Sequence, residues 1–452
     1  MQYLCVIPFL ISLYYVAHQR LDKAFLNVYL PCTFLIPYYY SFRLPHLPVI
    51  SAGTGALIPI GIALLLRPAT KWKFRRMDLW VVLFMVSFLL SELFREESPK
   101  DGMILWMTGF FEVFLGYVVG RQIIEPNLRL ETIKRIVFML VCLIPFALIE
   151  YRLGRNPWLE LAGPVFGNHE VGWFVQYRAG KARIAICYGD AILAGMLFLL
   201  GIALNYYLVQ IYKLDKLRLG PLMSKLQKYR IPLLGLPVLL YLTGSRGPLA
   251  CALLTFLVMQ IPRFRKLRTG VILVTLILVI GGGVGAFYFQ KYISVPVEQA
   301  TGGEAQTSAI YRRQLIENYA PVIERGGWLG YGLESRPVVG GQVSIDNNYL
   351  LVQLAQGKLG RYLFTLIGIE AVFSMMQAGA RFKSRESLFL VFCLMGAFAG
   401  LFVSLTTVYL GEQTTQILFL MLGWSQSLVD TGGGAMASAL PEPKFRFKSV
   451  IA

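Results

Sequence analysis

The side chains of this chain best able to do chemistry are arginines and a few acids placed at the ends of apolar runs. Ser245-Arg246-Gly247 sits in a very short connection between two such runs, and a charge at membrane depth is costly and tends to be functional. A turn with a snorkelling arginine is the plain structural alternative. Arg183 precedes the run that holds Asp190, which the pattern places about two turns into a helix; a helix-start carboxylate favoured by the dipole is the alternative. Tyr311-Arg312-Arg313 offers two adjacent arginines about 100° apart on a helix, so that they face different surroundings. Arg336 follows, and then Asp346-Asn347-Asn348-Tyr349, where a helix must begin. One Asn or Asp suffices as a cap, so three consecutive polar residues exceed that need. Arginine is always charged and grips phosphate bidentately. A carboxylate such as Asp346 can take a proton from a hydroxyl.

The elements that position these residues are membrane helices. Of 452 residues 56% are hydrophobic and 15% charged, against roughly 25% charged in soluble domains, and mean hydropathy is +0.59. Apolar runs at roughly 3–17, 24–40, 48–66, 77–94, 103–120, 136–151, 184–212, 231–243, 248–262, 269–289, 348–376, 387–405 and 413–428 are long enough to cross a bilayer. The fold class is therefore all-α, a polytopic transmembrane bundle of about 12–13 spans, the first of which is short enough to be interfacial. The first run lacks a charged leader and a small-residue cleavage site, so it reads as a retained span.

The net charge of +18 is gathered into short clusters between runs, which suits anionic headgroups and topology rather than nucleic acid. Basic loops at 67–76, 213–230, 263–268 and 381–385, with the basic tail, belong inside. Alternation then puts the acidic turn of Glu96, Glu97 and Asp101 outside, with the segments of about 152–182 and 290–347. The last is long enough to be functional. Tyr311, Leu315, Tyr319 and Val322 recur at helical spacing, predicting a short helix over 308–324 against the membrane face, then a Gly-rich turn at Gly326, Gly327, Gly330 and Gly332. The natural divisions are 1–182, 183–428 and a cytoplasmic tail 429–452. Six scattered cysteines read as small buried hydrophobes. His18, His46 and His169 form no ligand cluster, and only His169 falls in a substantial outer loop.

Ser-Arg-Gly after an apolar span, Tyr-Arg-x-x-Leu in a long outer loop, Gly330-Tyr331-Gly332, Asp346-Asn347-Asn348-Tyr349-Leu350 and Gly357-x-x-Gly360 occur here in an order that resembles the O-antigen ligase and polymerase superfamily over about residues 183–410. The resemblance implies a GT-C-like bundle with a large extracytoplasmic loop in a bacterial inner membrane. It implies a membrane glycosyltransferase that takes glycan from an undecaprenyl diphosphate carrier without nucleotide sugar, cofactor or metal. On it Arg246 and Arg312 engage the diphosphate, Asp346 is the candidate base, and Arg183, Asp190, Arg313, Arg336, Asn347, Asn348, Tyr349 and His169 are candidate substrate contacts. Family ligases that act on lipid A core carry histidine where this chain has Asp346, so the resemblance favours the polysaccharide-polymerase branch. Its expected partners are the lipid-linked oligosaccharide, an acceptor glycan, membrane lipids, and chain-length regulator and export proteins. A ligase with a lipid or protein acceptor is the runner-up. A flippase is the alternative of another class; the internal repeats usual in transporters are not visible.

Cysteines introduced at 300–340 and 160–175 should react with an impermeant thiol reagent from outside, and those at 67–76 and 218–228 should not. Labelling of 300–340 only from the cytoplasmic side would overturn the topology.

Overall fold

The computed structural model describes residues 2–42, 45–66, 72–95, 99–166, 174–212, 225, 230–295, 303–342 and 344–431. His169, Glu96, Glu97, most of the 213–230 loop and nearly all of the tail lie outside the described residues. The chain is almost wholly helical because backbone polar groups find no water in hydrocarbon and must pair within their own segment. The helices that matter here are α1 (Tyr3–Ala17), α2 (Ala52–Leu66), α3 (Arg76–Arg95), α4 (Pro99–Ile123), α5 (Pro126–Leu153), α6 (Ala191–Tyr212), α7 (Ile231–Leu242), α8 (Arg246–Gln260), α9 (Leu267–Ile293), α10 (Gly303–Gly326), α11 (Asn348–Arg381), α12 (Arg385–Ser404) and α13 (Glu412–Asp430). Seven of them, α3, α4, α5, α6, α9, α11 and α12, are long and apolar enough to cross a membrane. The protein is a polytopic membrane protein.

Three stretches differ from the hydropathy reading. The run at 24–40 is helical only to Leu35: Leu21–Ala24, the π-turn Phe25–Tyr29 and Leu30–Leu35 follow one another as one helix, which ends before Pro37. Helix α5 starts ten residues ahead of the apolar run, with Pro126 in its first turn, and Arg129 in its polar part is buried against Ser427 O at 3.2 Å. Helix α6 starts at Ala191 rather than near 184. The apolar residues Ile184, Ala185 and Ile186 mimic a span but form a loop packed into the core.

At one end of the bundle, buried charges tie α3, α4 and α13 together. Arg121 pairs with Asp78 at 3.2 Å, donates to Lys73 O at 2.7 Å and bonds Asp430, which also takes Arg75 at 2.5 Å. At the other end α11 is broken. Gly357 has φ 67 and ψ −165 inside the helix, which strips nearby amides and carbonyls of their helical partners. The Gly-rich turn fills them. Tyr331 N and Gly332 N donate to Leu354 O and Ala355 O at 2.8 and 2.9 Å, and Lys358 N and Leu359 N donate to Gly327 O and Trp328 O at 3.0 and 3.2 Å. A Cβ on Gly357 would lie 2.3 Å from the Trp328 backbone, and one on Gly330 would lie 2.5 Å from Gly357 N. The two glycine motifs of the sequence are thus two sides of one crossing.

The crossing anchors α10. Leu315 and Tyr319 on its inner face are fully buried against Ile345, Leu350 and Leu354, each burial worth about 1.5–3 kcal/mol. The helix has 24 residues, longer than the short helix expected.

Gly330→Ala and Gly357→Ala should each lower the thermal midpoint in detergent sharply, since a left-handed alanine costs about 1–2 kcal/mol and the clash adds to it. Gly327→Ala, at φ 61 with nothing within 4 Å, should cost only the conformational part. Equal losses at all three positions would show that the close crossing contributes nothing.

Candidate active site

Four arginines from three segments converge at the end of the bundle that holds the broken helix. Arg178 comes from a hairpin, Tyr177–Arg178 paired with Lys181–Ala182. Ala179 and Gly180 make its turn at φ 49 and 73, the two positive values that a two-residue turn of this hand requires. Arg178 Nη1 donates to Gly244 O at 2.6 Å. Arg183, just past the hairpin, donates to Thr243 O at 3.0 Å, Gln176 Oε1 at 2.8 Å and Ser245 Oγ at 2.7 Å. Both side chains therefore clamp the link between α7 and α8. Arg246 is the first residue of α8 and is exposed, with no hydrogen bond or ion pair among the described residues. A cation at a helix N-terminus opposes the dipole, so this arginine does not stabilise the helix. Arg312 of α10 takes Ser308 Oγ at 3.2 Å, and its Nε is buried without a hydrogen-bond partner.

These four arginines, with Ser245, Ser308 and Thr407, line a cavity of about 60 Å³, and no carboxylate among the described residues lines it. Burial, then the neighbouring Arg178, pushes Arg183 down to about 10, with Asp190 and Asp346 opposing. Arg183 stays charged at neutral pH, in a setting that disfavours its charge until an anion arrives.

The loop carrying Arg183 is held from behind. Glu150, fully buried at the end of α5, accepts from Ala185 N at 3.2 Å, Ile186 N at 2.8 Å and Asn156 Nδ2 at 2.8 Å, and Asn156 also donates to Ile186 O at 2.8 Å. Ile186 sits at φ 55, which a β-branched residue adopts only when its surroundings over-determine it. Asp190 does not lie two turns inside a helix as expected from the sequence. It caps α6, accepting from Ile192 N at 2.6 Å and from Gln176 Nε2 at 2.9 Å.

The polar run ahead of α11 divides its tasks. Asn347 is the cap, accepting from Leu350 N at 3.1 Å. Asn348 is buried and accepts from Leu410 N at 2.9 Å, fixing the 405–411 loop. The Tyr349 hydroxyl donates to Phe402 O at 3.0 Å, between helices. Asp346 has neither duty. Half-buried, it accepts from Ser344 Oγ at 2.8 Å and acts electrostatically on Arg183. Arg313 turns away from the cavity to Glu317 at 3.5 Å. Arg336 donates to Leu333 O and lines a second, far larger cavity of about 870 Å³ between α3, α4, α11 and α13. Among the described residues no His, Cys, Asp or Glu group has a metal-holding arrangement.

Arg178, Gln176 and Glu150 were not singled out from the sequence. The one visible signal was Tyr177-Arg178-Ala179-Gly180-Lys181, a small-residue turn between extended residues in an outer loop.

The fold defines a multi-pass membrane protein with a cavity lined by four arginines at one end of its bundle. Residues 231–365 match the family model described as O-antigen ligase, a match that supports the resemblance to the O-antigen ligase and polymerase superfamily. The match contains Arg246, Arg312, Asp346 and the glycine crossing; Arg178, Arg183 and Asp190 precede it. No curated protein matches the chain.

Glu150→Ala leaves three donors without their acceptor, at about 1–3 kcal/mol for each one that stays unsatisfied. It should lower the thermal midpoint and speed amide exchange at 183–190, and Glu150→Gln should recover part of both. Unchanged exchange in Glu150→Ala would remove Glu150 as the support of the Arg183 loop.

Proposed function

We propose that the protein is a polysaccharide polymerase, a metal-independent glycosyltransferase of the GT-C type. It transfers glycan from an undecaprenyl diphosphate carrier to a hydroxyl of an acceptor glycan at the periplasmic face of a bacterial inner membrane. The observation that carries this reading is the convergence of Arg178, Arg183, Arg246 and Arg312 on one cavity without a lining carboxylate. Such a site suits the diphosphate of a lipid-linked donor. The outward orientation follows from charge: the basic loops at 67–76 and 381–385 flank the ends of α3 and α11 remote from this cavity.

In the reaction the acceptor hydroxyl oxygen forms the new bond to the anomeric carbon. The bond from that carbon to the diphosphate oxygen breaks, and its electron pair leaves with the diphosphate. The hydroxyl proton passes to the Asp346 carboxylate. The arginines hold the diphosphate in place and, with Arg178 and Arg183 already fixed by hydrogen bonds, stabilise the negative charge that grows on it. Asp346 is suited to the base role because capping falls to Asn347 and loop fixing to Asn348, leaving its carboxylate with one hydrogen bond among the described residues. Chain-length regulator and export proteins are its expected partners.

The family description favours one other reading, a ligase that moves finished glycan to a lipid or protein. Deleting the protein separates the two: a polymerase leaves single repeats on the lipid carrier, whereas a ligase leaves full-length polymer stranded there.

Arg246→Ala and Arg312→Ala should abolish polymer while the protein stays inserted, and Arg→Lys at either position should be poor because a point charge loses the bidentate grip. Normal polymer in Arg246→Ala would return that side chain to a snorkelling role. Asp346→Asn should slow transfer by about 10²–10⁴-fold with donor binding retained; wild-type polymer length and amount would eliminate the base role.

A further inference from the structure

The cavity of about 870 Å³ carries the opposite charge from the arginine pocket. Among the described residues Asp101, Glu112, Glu334 and Glu412 line it, with Arg336 alone among lysines and arginines. Its volume is at the upper end of small-ligand sites, about 300–1,000 Å³. Its wall includes Ser344, Ile345 and Asn348, within two positions of Asp346 in the chain.

Glu112 is the informative wall residue. It lies in a π-turn of α4, Phe110–Leu115, a distortion frequent at functional sites. It is 6% exposed, and its Oε1 is buried without a hydrogen-bond partner. Tyr38 hydrogen-bonds this carboxyl, and the unpartnered Oε1 is left for a donor from an occupant.

What the occupant can be follows from the chemistry of the wall. A diphosphate is repelled by the exposed carboxylates Asp101, Glu334 and Glu412 and belongs with the arginines. A polyisoprenyl chain gives carboxylates nothing to bond. A metal ion needs convergent ligands, and no such group exists among the described residues. A sugar offers hydroxyl donors to carboxylates and C–H faces to the apolar part of the wall. An acidic sugar would add a like charge, which costs several kcal/mol at close range.

We propose that this cavity is the subsite for the acceptor glycan and that its acidic wall selects neutral or amino-bearing sugars against uronate-bearing ones. The inference rests on the glycosyltransferase reading above and adds a substrate class to it. Donor and acceptor are sorted by charge into separate cavities, with Asp346 linked to one through Ser344 and to the other through its electrostatic effect on Arg183.

The test is direct binding to the full-length protein in nanodiscs, without donor. The probes are a neutral tetrasaccharide and the same tetrasaccharide with one hexose replaced by its uronic acid. The neutral probe should bind, and the uronate probe should bind at least about tenfold more weakly, equivalent to about 1.4 kcal/mol. Glu334→Gln and Asp101→Asn, both at exposed positions of the cavity wall, should each narrow that ratio. Equal binding of the two probes, no binding of the neutral one at millimolar concentration, or a ratio unmoved in both variants would overturn the proposal. Charge-selective binding in a protein that transfers no glycan in the presence of lipid-linked donor would sink the polymerase reading and leave the subsite standing.

Discussion

A membrane helix that breaks has to find partners for the backbone groups it releases, and in hydrocarbon those partners can only be protein. In this molecule the break at Gly357 and its repair by residues 327–332 organise the whole working end. The repairing turn is the C-terminal continuation of α10, so the helix that carries Arg312 is fastened to the bundle by main-chain hydrogen bonds. Leu315 and Tyr319 then close against Ile345, Leu350 and Leu354. The same α11 begins with Asn347 and Asn348, whose caps set the height of Asp346 and the course of the 405–411 loop. Thr407 of that loop completes the arginine pocket.

The pocket itself is an arrangement that would not assemble on its own. Guanidinium groups gathered in a partly buried space repel one another and lose hydration. What holds them is neutral. Arg178 and Arg183 donate to the carbonyls of Gly244 and Thr243 and to Ser245, so the connection between α7 and α8 is gripped by the charges it faces. The compensating carboxylates stand one layer back. Asp190 reaches Gln176 and the start of α6 rather than an arginine, and Asp346 is tied to Ser344. Among the described residues no carboxylate lines the cavity these arginines share.

Much of the fold was legible in the residues, because hydrocarbon imposes a length and a composition that few other environments demand. Helix α10 was legible for a different reason, the four-residue spacing of Tyr311, Leu315 and Tyr319. The loop at 184–190 was not. Ile184, Ala185 and Ile186 are as apolar as any span, and what turns them into a loop is Glu150, more than thirty residues upstream. Arg178 was hidden in the same way, since its role depends on Gly244 coming to meet it. The glycine motifs were visible as motifs, but that each excludes a side chain on account of the other emerges only when the backbones cross. In the run from Asp346 to Asn348, residue types that all cap helices equally well concealed a division of labour that depends on which amide lies within reach.

Helix α9 carries a consequence of another kind. It is 27 residues long, and only 11% of its apolar window is buried inside the protein. At about 1.5 Å per residue it measures about 40 Å, whereas the hydrocarbon core is about 30 Å thick. Its final turn presents Tyr288 and Tyr292, residues that settle at the headgroup level. The carbonyl of Tyr292 accepts a hydrogen bond from Gln306 at the start of α10. A helix held by lipid rather than by protein answers hydrophobic mismatch by tilting, and this one is hitched to the element that bears Arg312. Lipid composition, through the thickness it sets, therefore acts as a mechanical load on the arginine pocket.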